Sequence, residues 1–162
     1  MFYGAWMMLL TTAVLQAPAA KTVSFSVWAV QANQENRATP YLDSQLESIC
    51  KALTDLPFNT FRAVGRMNSE LSTNSDHQTP KTMPLDDRYT LSVTFKGQDA
   101  GGQIRLELWV EAAAKNQGDP PVRVLTTRLR MAPGEMAAVR GLKRDGGEMV
   151  LVFRCGTPPS TP

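Results

Sequence analysis

Tyr89-Thr90-Leu91-Ser92-Val93-Thr94-Phe95-Lys96 and Ile104-Arg105-Leu106-Glu107-Leu108-Trp109-Val110-Glu111 decide the fold. Tyr89, Leu91, Val93 and Phe95 share one face of the first segment, and Ile104, Leu106, Leu108 and Val110 share one face of the second. A period of two with branched and aromatic residues is the signature of a strand buried on one side. Gln98 to Gly102, rich in glycine, joins the segments and predicts a hairpin turn.

Upstream, Val23, Phe25 and Val27 alternate with Ser24 and Ser26, which predicts a strand over Thr22–Ala32. Trp28 and Val30 fall on the serine face, so the later part of this strand is expected to be covered on both sides. Tyr41 to Leu56 carries Leu42, Leu46, Ile49, Cys50 and Leu53 at steps of three or four, an apolar helical stripe. Asp43 and Glu47 near its start suit the helix dipole, Glu47 and Lys51 suit an i,i+4 pair, and Pro57 supplies a stop. Thr60 to Met67 is a further strand candidate, and Asn68 to Pro84 is a polar stretch of weak periodicity.

Downstream, Val122 to Met131 is a strand whose alternation changes phase between Val124 and Leu125, which predicts a bulge or a strand apolar on both faces. Pro133-Gly134 predicts a type II turn. Met136 to Val139 is short and apolar. Met149, Leu151, Phe153 and Cys155 share a face of a last strand that follows the Asp145-Gly146-Gly147 turn. One helix followed by a run of strands predicts an α+β fold: a largely antiparallel sheet of about six or seven strands with one amphipathic helix packed on one face.

The chain has 162 residues, 43% hydrophobic and 20% charged, with a net charge of +2. That is enough chain for one core of ordinary size. The charge is too small to drive phosphate contacts, so no nucleic-acid partner is expected. Ala5 to Leu15 is an apolar run too short to span a bilayer comfortably, and Ala17-Pro18-Ala19 offers small residues where a signal peptidase cuts. The expected organisation is a signal peptide over 1–19, a single α+β domain over 20–155 and a disordered, proline-rich tail over 156–162. The mature chain is then exported, periplasmic or extracellular, with no transmembrane span.

Candidate chemistry is sparse. His77 is the single histidine and lies in the polar Ser72–Pro80 loop, which leaves out the usual triads and histidine-rich metal sites. Asp86-Asp87 read as a turn into the next strand rather than as a carboxylate pair, because neighbours in a strand point to opposite faces. Gly97 to Gly102 lies between strands, with no helix, Lys or Ser/Thr following at P-loop spacing. No cofactor or metal is expected. Cys50, on the helical stripe, and Cys155, on the apolar strand face, both point inward, as a disulfide of an exported protein or as two buried thiols. Residues 115–155 hold a local net charge of +4 and residues 20–114 a net charge of −2. Arg128 and Arg130 share a strand face and, with Arg140, predict a shallow basic patch suited to an anionic surface or acidic partner.

Thr126-Thr127-Arg128-Leu129-Arg130-Met131-Ala132-Pro133-Gly134-Glu135, followed by Val139-Arg140-Gly141-Leu142, resembles a hairpin of bacterial outer-membrane secretins. In that hairpin a threonine-rich strand reaches a Gly-Glu turn and a strand ending in Gly-Leu. The resemblance is confined to residues 126–142 and implies that the two flanking strands pair with each other.

These readings converge on a small exported, non-enzymatic binding or accessory domain, part of a cell-envelope assembly. The alternative is a secreted hydrolase using carboxylates such as Asp76, Asp86 or Asp87.

Overall fold

The computed structural model describes residues 22–72, 79–114, 116, 118–144 and 146–156. The expected signal peptide and the tail beyond Gly156 lie outside these residues, as do Asp76 and His77.

Among the described residues nine strands form two sheets. Strands β1 (Thr22–Asn33), β2 (Tyr41–Leu42), β3 (Thr60–Ser72), β8 (Met136–Arg144) and β9 (Gly147–Gly156) form the larger, in the order β2-β3-β1-β9-β8. Strands β4 (Lys81–Pro84), β5 (Tyr89–Gln98), β6 (Ile104–Ala112) and β7 (Val122–Met131) form the smaller, a meander in chain order. All pairs are antiparallel except the short β2 on β3.

The expected hairpin is β5–β6, with Leu91 opposite Val110 and Val93 opposite Leu108. Its apolar face meets the apolar face of the larger sheet. Phe25, Val27, Leu151 and Phe153 from one side pack with Leu91, Leu106, Leu108 and Val110 from the other. The fold is therefore strand-rich and built of two packed antiparallel sheets, not of a single sheet of six or seven strands. One-sided alternation reports that a face is covered, but a helix and a second sheet leave the same imprint.

The helix covers the opposite face of the larger sheet. Leu46, Ile49 and Leu53 pack on Trp28, Val30, Phe61, Val150 and Val152. As the alternation of Trp28 and Val30 predicts, β1 is covered on both sides in its later part. The helix is shorter than the stripe implies: a 3-10 segment over Ser44–Ile49 runs into a single α-turn, α1, over Cys50–Leu53. Tyr41 and Leu42 instead pair with β3, and Asp43 becomes the N-cap, its Oδ1 accepting the Gln45 N–H at 3.0 Å. With about three residues per turn in the 3-10 segment, Leu46 and Ile49 eclipse, and Cys50 rotates off the buried side. Glu47 and Lys51 make no ion pair among the described residues.

Two sequence signals in β7 and the turn after it have clear outcomes. Val110 faces Leu125 while Glu111 faces Arg123, so Val124 is the extra residue of a bulge. Ala132 accepts the Glu135 N–H at 3.0 Å, and Gly134 has φ of +84°, as position i+2 of a type II turn requires. That turn does not close a hairpin, however. It carries the chain from the small sheet to the large one, and β7 pairs with β6 while β8 pairs with β9. The pairing implied by the secretin resemblance is absent.

Candidate binding site

The alternation of β1 builds the site. Val23, Phe25 and Val27 turn into the core, so Ser24, Ser26 and Trp28 lie on the helix-bearing face. The helix covers that face from Trp28 to Ala32, and among the described residues no element covers the end with Ser24 and Ser26. Ser26 lies across from Asn68 on β3 and Arg154 on β9, and Trp28 lies across from Arg66 and Val152. The uncovered end is thus a polar shelf with an arginine on each flanking strand.

Hydrogen bonds give the shelf an order. Asn68 Oδ1 accepts from Ser26 Oγ at 2.7 Å and from Arg66 Nε at 3.3 Å. The Arg66 guanidinium stacks 4.8 Å from the centre of the Trp28 ring. Under that lid Trp28 is only 3% exposed, and its Nε1–H has no partner among the described residues. Ser24 Oγ donates to the Gly156 carbonyl at 3.1 Å. Among the described residues neither Arg66 nor Arg154 makes an ion pair. A cavity of about 310 Å³ is lined by both arginines with Ser24, Ser26, Trp28 and Ser48. A second, of about 390 Å³, shares Trp28 and Arg66 and continues past Gln45, Ala63 and Gly65.

The arginines singled out in the sequence stand elsewhere. Arg128 and Arg130 lie on the outer face of the small sheet, where Arg128 pairs with Glu107 at 3.3 Å and Arg130 with Asp99 at 2.5 Å. Arg140, on β8, pairs with Glu148 at 2.9 Å and stacks on Phe58, on the helix side of the large sheet. The structure does not bring the three together. The acids respond: hydrogen bonds from Lys96 first, then Arg128, hold the Glu107 carboxyl below its ordinary range. The Gln103 N–H, with Arg130, does the same for Asp99.

Asp86 is a turn residue, as its sequence neighbours imply. Its Oδ1 accepts the N–H groups of Arg88 and Tyr89, both at 2.8 Å, and its Oδ2 meets Arg144 at 2.6 Å. Asp87 beside it is exposed. Cys50 and Cys155 are both free thiols, so of the two alternatives the disulfide is not formed, and only Cys155 points inward. Cys155 is buried between the sheets, 4.0 Å from the Met131 sulfur, whereas Cys50 is exposed on the helix across the sheet. Burial chiefly, with the Glu135 charge adding, pushes the Cys155 thiol up to about 11. Among the described residues no group of three His, Cys, Asp or Glu side chains could hold a metal ion, and no helix is long and apolar enough to cross a membrane.

Sequence reasoning missed Arg66, Asn68 and Arg154. A partial signal exists in Ser24 and Ser26, the polar half of a strand whose later residues are apolar on both faces. Comparison with protein-family models, with curated proteins and with solved structures found no match.

Proposed function

We propose that this chain is a small exported binding domain without catalytic activity, acting as an accessory part of a cell-envelope assembly. One observation carries the reading. Among the described residues Arg66 and Arg154 have no acid partner, and both line one cavity, while Arg128, Arg130 and Arg140 are spent on Glu107, Asp99 and Glu148. Unneutralised guanidinium groups at a concave surface favour an external anionic partner. The hydrolase alternative has less support, since Asp86 is committed to two backbone N–H groups and Arg144. The test is fractionation of the native host. The mature protein should begin at Ala20 and co-sediment with an envelope component in a complex of fixed stoichiometry. Full-length protein free in the cytosolic fraction would overturn the proposal.

A further inference from the structure

The shelf over Trp28 is rich in donors and poor in acceptors. Both Nη groups of Arg66, the Arg154 guanidinium, the Asn68 Nδ2 and the Ser48 hydroxyl have no protein partner among the described residues. The protons of Ser24 and Ser26 are already given to Gly156 and Asn68. Among the described residues no acid lines either cavity. Glu70, the acid on the same face of β3, lies across from Ser24 at the margin of the sheet. Guanidinium forks match the planar geometry of carboxylates and can bind them through two parallel hydrogen bonds.

We propose that this groove recognises an acidic peptide segment of a partner protein, with Arg66 and Arg154 each taking one carboxylate. The inference rests on the binding-domain reading and names its ligand class. Arg66 and Arg154 stand two strands and two residues apart across the sheet, so their Cα atoms are separated by roughly 12 Å. That separation is close to that of acidic residues four apart on an extended chain, which stand about 13 Å from each other. The second cavity, reached past Arg66, gives such a chain room to continue. A groove recessed beside a helix is reached by a peptide more readily than by a flat lipid surface.

The probe is a synthetic Gly/Ser heptapeptide with glutamates at its second and sixth positions, followed through the Trp28 indole N–H resonance. The expected result is a saturable shift that weakens with added salt and is absent with glutamine in place of both glutamates. Arg66→Gln and Arg154→Gln should each weaken binding about fivefold. Reversing both charges, Arg66→Glu with Arg154→Glu, should switch preference to the heptapeptide bearing lysines. Both side chains are exposed, so a thermal melt should find the Arg154 variant unchanged and the Arg66 variants only slightly lowered, by the lost stacking on Trp28. No saturable shift, or one that survives in the double glutamine variant, overturns the assignment. So does inorganic phosphate binding as tightly as the peptide, which would mean an adventitious ion only. Recruitment to phosphatidylglycerol vesicles without peptide binding overturns it in favour of lipid. If the peptide fails while the native protein still co-sediments with its envelope complex, the binding-domain reading stands and only this site falls.

Discussion

Asp86 and Arg144 meet at 2.6 Å although 58 residues separate them in the chain. Asp86 lies in the turn between β4 and β5 of the small sheet, and Arg144 ends β8 of the large one. Beside them the Tyr89 hydroxyl donates to the Lys143 carbonyl at 3.2 Å. These contacts pin one end of the sandwich, where the apolar core gives way to turns. The Asp86 carboxylate is 6% exposed and Arg144 26%, so the pair is only partly screened by water.

Asp86→Ala removes a partner from Arg144 and from two backbone N–H groups at once. It should destabilise the protein by about 2–3 kcal/mol, more than Arg144→Ala, which leaves the turn bonds in place. Urea unfolding of both single variants and the double variant checks this. Strict additivity would show that the pair contributes nothing.

The large sheet is covered on both faces, and β9 tests that directly. Leu151 faces the small sheet and Val152 faces the helix, and both are fully buried. Leu151→Ala should cost about 2–5 kcal/mol, and Val152→Ala should also be clearly destabilising. A neutral Val152→Ala would mean that the helix does not pack there.

The two thiols should behave differently. Native protein treated with iodoacetamide should gain one adduct, at Cys50, and a second at Cys155 only after denaturation, as mass spectrometry would read. Because the folded Cys155 pKa is raised from 9.0 to about 11, its contribution to stability is whole below pH 9 and is lost as pH rises toward 11. Cys155→Ser, judged by the slope of stability against pH in that window, should flatten the loss.

Acid should act through the surface pairs. Hydrogen bonds from Arg37 lower Glu35 and those from Lys96 lower Glu107, both from an ordinary value of 4.5. Groups lowered in the folded state stabilise it above their unfolded values and stop doing so as pH falls through the lowered ones. Stability should therefore decline below about pH 4.5, and Glu107→Gln should make that decline shallower in acid titrations followed by circular dichroism. An unchanged acid limb would count against the Lys96–Glu107–Arg128 cluster.

Several features of the outer surface were not legible in the alternation. Ser92 and Thr94 occupy the solvent-side positions of β5, yet are 3% and 8% exposed. They lie across from Trp109 and Glu107, long side chains of β6 that screen them. A period of two says which way a residue points, not how tall its neighbours are. Cys50 shows the same limit on the helix, because assigning it to the stripe assumed α-helical spacing where the chain takes 3-10 geometry.

The residue pattern alone was enough for local features: the strand β1, the hairpin β5–β6, the phase change in β7, the type II turn at Pro133-Gly134 and the inward face of β9. Each depends on the pattern within a few residues, where backbone geometry sets the period. That the strands divide into two sheets, and that β9 returns to lie beside β1 with Cys155 across from Phe25, was visible only in the folded chain. The folded chain also brings Arg66 and Arg154 to one groove and leaves Arg128 and Arg140 outside it. Those outcomes depend on which distant strands pair, and antiparallel pairing is chosen by the joint burial of many apolar faces, which the local pattern around any one residue does not encode.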